Sequence, residues 1–420
     1  MVNKTDTFVA ERTDKYFTKS RQIAEKFGDR VVTYGVFQRR PTIAAPALAI
    51  AFLKEHCPEA EVIEHVEEGT IVEPQTKTLS IKAPLSKIVE CETLFLQRLG
   101  FSQICAYNAY RMALALPLVP FLDMHGRHAA GDDMVLAAAY GASVGSRVAR
   151  LQGAKGFIGT SNDLSASYYP TKKGLGTMPH AIIGYAGCAL MDEWNATTKD
   201  HTGALGFFSA DAYAQANGTL RATQMYVEAN PDDVNIIALV DYYGQEVSDS
   251  IQCAKWFYEQ GLDKQGKKFG VRLDTHGGRF LEGLDYGKSV EVVCDWLKVH
   301  PADEYAAVRR ILGEDAYDFA GDDNIDKIRK LLFGTGVSAA NVMYLRNQLN
   351  AAGFPDVFIV ASSGFDLFKC QIMAKANTPI SMVGTGSFLP KTMSESYATA
   401  DIYRYDDYQT IKVGREWLYE

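Results

Sequence analysis

Beyond residue 115 one pattern recurs along the chain, a short apolar run that stops abruptly at small or polar residues. The instances are VPFLDMHGRH, KGFIGTSND, KGLGTMPH, VNIIALVDYYG, KKFGVRLDTHG, DVFIVASSG and ISMVGTGSF. Helix-compatible segments follow them, among them Asp133 to Leu151, Ala210 to Asn217, Ser248 to Gln260 and Ser338 to Ala352. Continuous apolar strands alternating with helices predict parallel pairing with both sheet faces covered. The expected fold is α/β, an irregular, incomplete parallel α/β barrel of about seven strands, with a smaller N-terminal α+β domain.

Before residue 115 the pattern is mixed. A helix is expected around Lys19 to Phe27, a strand at VVTYGVF ahead of Arg39 and Arg40, and a helix over Ala45 to Glu55. Short β-rich pieces follow from Glu61 to Pro84, punctuated by Gly69, Pro74 and Pro84. Ile88, Cys91, Leu94, Phe95 and Leu99 then recur at helical spacing, which predicts a helix from Lys87 to about Met112 that packs into a core. Residues 280–337 interrupt the strand-helix rhythm with charged, helix-prone sequence and read as an insertion. Asp322, Asp323 and Asp326 in it lack the ligand spacing of a calcium loop. The expected domains are residues 1–114, residues 115–392 carrying the insertion, and a tail at 393–420 that packs on the N-terminal domain.

A chain of 420 residues, 47% apolar and 22% charged, suits a globular enzyme of two domains. The start lacks the apolar segment of a signal peptide. The most apolar stretch, Met112 to Leu122, contains Pro117 and Pro120 and is shorter than the roughly 20 residues a bilayer needs. Seven cysteines without a CxxC pair read as reduced thiols, so a cytoplasmic protein is expected. The net charge of -8 and the lack of a basic run argue against a nucleic-acid partner. An anionic substrate must therefore be held by placed arginines and backbone N–H groups.

In parallel barrels the site lies at the carboxyl ends of the strands. Arg127, Ser161, His180, Asp241, Arg272, Asp274 and Ser363 all fall at such ends, as does the turn Gly384-Thr385-Gly386-Ser387. That turn offers backbone N–H groups and hydroxyls to an anion, and Ser362-Ser363-Gly364 ends the preceding strand, so the two turns together form a candidate phosphate cradle. Arg272 and Asp274 alternate with Leu273 and share one face of their strand. They read either as a structural ion pair or as an arginine that clamps substrate beside an aspartate for sugar hydroxyls or Mg²⁺. His180 is a candidate metal ligand, base or phosphate acceptor. His125 and His128 flank Arg127 and read as donors or as surface loop residues.

The ordered series MHGRH, GTSN, GTMPH, LVDYY, GVRLDT, VASSGFD and GTGSF resembles the nicotinate phosphoribosyltransferase family, type II phosphoribosyltransferases. TDKY at Thr13 to Tyr16, VFQRRP at Val36 to Pro41 and EEGTIVEP resemble its N-terminal region, so the likeness spans most of the chain apart from the insertion. Met124 and His128 depart from it, standing where the family often has an aromatic residue and a second arginine. The resemblance implies condensation of nicotinate with phosphoribosyl pyrophosphate (PRPP), coupled to ATP, in a homodimer with shared active sites. Arg127, Ser161 and a partner subunit's Tyr16 would then surround nicotinate, and ATP would phosphorylate His180. Asp241, Arg272 and Asp274 would hold PRPP, with Asp241 and Asp274 facing Mg²⁺. Ser363, Gly364, Gly384, Thr385, Gly386 and Ser387 would surround the 5′-phosphate, and Arg39 would reach pyrophosphate. Ser161 stands where nicotinamide-specific relatives typically carry an aspartate, which favours an acid substrate. Quinolinate enzymes are shorter and richer in basic ligands, and a phosphosugar-binding barrel without transferase activity would need neither His180 nor ATP.

Overall fold

A computed structural model describes residues 4–198, 209–313, 322–393 and 398–420. The chain divides into two compact units, one of residues 1–118, 123–174 and 386–420, the other of residues 119–122 and 175–385.

The first unit begins with α1 (Lys4–Arg12), α2 (Lys15–Phe27), β1 (Val31–Phe37), β2 (Thr42–Ile43) and α3 (Ala47–His56). β3 (Glu61–Glu64), β4 (Ile71–Val72), β5 (Lys77–Pro84), α4 (Leu85–Ile88) and the long α5 (Glu92–Ala115) follow. After β6 (Phe121–Asp123), whose first two residues belong to the second unit, come α6 (Asp132–Leu151) and β7 (Phe157–Thr160). β1 lies between β5 and a strand from the far end of the chain, Thr399–Tyr405, antiparallel to both. Val32, Tyr34, Val36, Leu79 and Ile81 bury one core against Phe52, Leu53 and Phe95, and Ala400 and Ile402 pack on it. A Cβ on Gly141 or Gly145 of α6 would stand 2.2 or 1.9 Å from the Ser102 or Ala106 carbonyl of α5. Two glycines four residues apart thus let the two helix backbones touch.

The second unit carries α7 (His180–Thr198), α8 (Ala210–Ala229), β8 (Asn235–Leu239), α9 (Glu246–Glu259) and β9 (Lys268–Leu273). It continues through α10 (Tyr286–Leu297), α11 (Glu304–Leu312), α12 (Asp322–Phe333), α13 (Ala339–Ala351), β10 (Phe358–Ala361), α14 (Leu367–Lys375) and β11 (Met382–Thr385). Ser209, Asp285, Asp303, Ser338 and Asp366 each accept a backbone N–H at a helix start, which fixes where α8, α10, α11, α13 and α14 begin. The expected insertion forms α10, α11 and α12, with residues 314–321 of it outside the described ones. The C-terminal strand Thr399–Tyr405 is β12, and β13 (Tyr408–Gln409) pairs with it.

β6 to β11 form a six-stranded sheet in the order β7-β6-β11-β10-β9-β8. β8 with β9, β9 with β10 and β10 with β11 are parallel. The sheet is open, an incomplete barrel as the apolar runs predict. One expected strand is absent: KGLGTMPH, from Lys173 to His180, is an irregular segment. Gly174 and Gly176 have no side chain to pack and Pro179 has no N–H to give a ladder, so the run enters α7 instead of joining the sheet. His180 is accordingly the first residue of a helix and not the last of a strand.

Candidate active site

Within the second unit, four strand-end segments and the start of α7 are joined in pairs. The Nε2 atom of His180 lies 3.1 and 3.2 Å from the two carboxylate oxygens of Asp241. The His180 side chain is 46% exposed and that of Asp241 8%, so a nearly buried carboxylate holds a ring that still reaches solvent. A carboxylate can only accept, so Nε2 carries the proton, and in the neutral ring Nδ1 keeps its lone pair. The Tyr242 ring stands 6.2 Å from the imidazole. Arg279 Nη2 donates to the Asp241 backbone carbonyl at 2.9 Å and pairs with the buried Glu246 at 2.6 Å. Glu246 also accepts from the Thr275 hydroxyl and the Glu282 N–H. Arg279 is thus fastened to the loop that presents Asp241.

Arg272, near the end of β9, is 9% exposed and donates to the Thr177 hydroxyl in the segment leading to His180. Its Nη2 lies 3.9 Å from Asp274 Oδ2. On the neighbouring strand, Ser363 and Gly364 follow one another at φ +73° and +66°. A left-handed serine is uncommon and costs of order 1 kcal/mol, the kind of conformation that persists where surrounding contacts hold it. The Thr385 hydroxyl donates to the Phe365 carbonyl, so the end of β11 is fastened to the turn after β10. Lys369, a site neighbour that carries no motif in the sequence, is 7% exposed and donates from Nζ to the Ser363 carbonyl at 2.9 Å. Burial pulls its amine down to about 8, against the opposing pull of Cys370, Asp366 and Asp274.

The first unit gathers a second set. Arg127 is exposed on the short turn Gly126–His128 after β6, and exposed Ser161 follows β7, its N–H donating to the Asp123 carbonyl at 2.9 Å. Asp123 is buried, takes the His125 N–H at 2.7 Å and the Tyr169 hydroxyl at 2.8 Å, and burial raises its carboxyl. His125 is 1% exposed, not a surface residue, and its Nδ1 donates to the Gly386 carbonyl at 3.0 Å. Its buried Nε2 has no hydrogen-bond partner among the described residues. A Cβ at Gly386 would stand 2.4 Å from the Met124 carbonyl, which is why glycine occupies that position. His128 is exposed, and burial, Arg127 and His125 lower its pKa. Arg39 is exposed on the turn after β1. Tyr16 is 61% exposed, its hydroxyl donating to Asp14 at 2.9 Å, a bond that raises its own pKa.

Gly384 and Thr385 are buried at the end of β11, and Ser387 beyond them is exposed. Among the described residues no group of three or more histidine, cysteine, aspartate or glutamate side chains is spaced to hold a metal ion. The carboxylates of Asp241 and Asp274 suit Mg²⁺, which takes one or two protein carboxylates and completes its shell with water and phosphate oxygens. No helix among the described residues is long and apolar enough to cross a membrane.

No protein-family model matches the chain, and no curated protein sequence does. Solved structures share the fold of this chain. A nicotinate-nucleotide pyrophosphorylase from Pyrococcus furiosus superposes with a TM-score of 0.62 at 18% identity, over 99% of this chain and 80% of that one. Human nicotinic acid phosphoribosyltransferase superposes with a TM-score of 0.56 at 17% identity, over 96% of this chain and 76% of that one.

Proposed function

We propose that the protein is a nicotinate phosphoribosyltransferase that joins nicotinate to PRPP, releasing nicotinate mononucleotide and pyrophosphate, with ATP acting through a phosphohistidine. The observation that carries this reading is the His180–Asp241 pair on the same unit as Arg272, Asp274 and the Ser363-Gly364 turn. A phosphosugar-binding barrel without transfer chemistry gives no reason for a half-exposed histidine held by a nearly buried aspartate.

In the transfer step the pyridine nitrogen forms a bond to C1 of the ribose as the bond from C1 to the pyrophosphate oxygen breaks. No strong base is required. The needs are a stabilised cation-like carbon and a clamp on the leaving group. In this reading Asp241 and Asp274 would hold Mg²⁺ at the ribose, and the ion when bound would neutralise charge on the pyrophosphate. Arg272 and Arg39 bind phosphate oxygens, Arg127 and Ser161 receive the nicotinate carboxylate, and the turns at Ser363 and Gly386 receive the 5′-phosphate. In the ATP step Nδ1 of His180 attacks the γ-phosphorus. The Nδ1–P bond forms, the bond to the bridging oxygen breaks, ADP leaves, and Asp241 keeps the Nε2 proton. The start of α7 favours the negative charge that arrives there.

The deciding assay offers PRPP and Mg²⁺ with nicotinate, nicotinamide or quinolinate, with and without ATP. Nicotinate mononucleotide, formed faster with ATP, is expected. Preferential use of nicotinamide or quinolinate would overturn the specificity, and the absence of any mononucleotide would overturn the transferase reading.

A further inference from the structure

We propose that Lys369 is a positioning residue of the sugar-phosphate site, holding the Ser363-Gly364 turn open to an anion through the Ser363 carbonyl. The inference rests on reading that turn as part of the PRPP site. Two independent features of the geometry carry it. First, Lys369 is buried, 7% exposed as a residue, and its amine donates a hydrogen bond of 2.9 Å to the carbonyl of a left-handed, non-glycine residue. An ammonium group taken out of water is costly unless it is paired, so a purely structural position is better filled by an apolar side chain. Second, its Nζ lies 4.3 Å from the centre of the Phe365 ring, and the Phe365 carbonyl takes the Thr385 hydroxyl from the end of the neighbouring strand.

The arrangement explains why Ser363 keeps its strained conformation. With its carbonyl turned inward to Lys369, the peptide linking Ser363 to Gly364 has its N–H on the opposite side, since carbonyl and N–H of one peptide point oppositely. Holding the carbonyl inward therefore holds that N–H outward, where residues 363 and 364 are exposed. Phe365, fully buried at 1% exposure, supplies the face on which the ammonium rests. Lys369 is placed by Asp366, which caps α14 by accepting the Lys369 N–H at 2.8 Å.

The test compares wild type, Lys369→Met and Lys369→Gln by PRPP dissociation constant, by KM for each substrate and by kcat. Loss of the holding contact should raise the PRPP dissociation constant and KM at least about 10-fold in Lys369→Met. KM for nicotinate should stay within about 2-fold, a split that general damage to the fold would not produce. Lys369→Gln, which keeps an N–H donor, should recover part of the loss, and it carries the test alone if Lys369→Met does not fold, with PRPP affinity between wild type and non-binding. PRPP affinity unchanged in the variant would overturn the role of Lys369 while leaving the transferase reading intact. Absence of PRPP binding to the wild type would overturn both.

Discussion

Nε2 of His180 stands 3.1 Å from Oδ2 of Asp241, a residue 61 positions later in the chain. The contact joins the start of α7 to the loop after β8 and sets which nitrogen of the imidazole carries the proton. A ring held this way offers Nδ1 as its nucleophile. Incubation with ATP and Mg²⁺ should therefore place an acid-labile, base-stable phosphate on His180, detected by labelling and peptide mapping. His180→Ala should abolish the label while some ATP-independent synthesis persists. Asp241→Asn, which no longer compels the Nε2–H tautomer, should lower labelling by about 100-fold, on the scale of a lost acid-base partner. Full labelling of His180→Ala would remove this residue from the ATP step.

Arg272 and Asp274 are close enough to attract one another, and at 3.9 Å they do not form a tight bidentate pair. Arg272→Ala and Asp274→Asn are each expected to reduce turnover at least about 100-fold, the scale of a lost preorganised electrostatic contact. Circular dichroism and steady-state kinetics on the same preparations check this. Two folded variants with nearly normal turnover would make the pair structural.

Asp249 provides a stability test away from the chemistry. It is buried on α9, accepts the Thr219 hydroxyl, and burial with help from Glu282 and Glu246 raises its carboxyl to about 7 from 3.8. Between those values the native state binds a proton that the unfolded chain does not, so this group's contribution to stability is fully present below about pH 4 and is lost as pH rises through 7. Asp249→Asn can still accept from Thr219 and has no charge to bury. Relative to wild type it should gain about 1 to 3 kcal/mol between pH 5 and pH 8 in denaturant unfolding. A pH-independent difference would show that Asp249 does not titrate in that window.

Gly386 and Met124 meet backbone to backbone, so Gly386→Ala should push the turn carrying Arg127 away. A loss of about 1 to 3 kcal/mol, seen as a lower Tm, is expected from such overpacking. An unchanged Tm would mean that the turn yields freely.

The sheet was legible because its strands are buried on both faces, and an apolar run such as IIALV ending at Asp241 has few other readings. KGLGTMPH misled because a short apolar-looking run with Gly174, Gly176 and Pro179 resembles a strand end, whereas the ladder needs N–H groups and side chains it lacks. Lys369 was invisible for a different reason. In FDLFKCQIM a lysine at helical spacing reads as a solvated residue, and nothing in that spacing shows that the Ser363 turn and the Phe365 ring fold back onto its amine. His125 was ambiguous between donor and surface residue. Its burial follows from the approach of Gly386, which lies 261 positions away and leaves no local signature.

The working unit is expected to be a homodimer in which Tyr16 completes the pocket of the neighbouring subunit. The ring is 61% exposed at the start of α2, with its hydroxyl held by Asp14, which itself exchanges hydrogen bonds with Thr93. The contact fixes the hydroxyl end and leaves much of the aromatic face open. A flat pyridine needs an apolar or aromatic wall, and Met124 stands on the barrel side where an aromatic residue would serve. A tyrosine contributes that wall through offset stacking worth about 0.5 to 1.5 kcal/mol beyond area burial. Tyr16→Ala should therefore raise KM for nicotinate by roughly 3- to 10-fold, from that energy, while leaving KM for PRPP within about 2-fold. Mixing Tyr16→Ala with Asp274→Asn and allowing subunits to exchange tests the sharing itself, because each hybrid dimer then has one pocket free of both lesions. Recovered activity in the mixture, with hybrids verified by differential tags, is the expected outcome. Verified hybrids without recovery would mean that Tyr16 serves its own subunit alone.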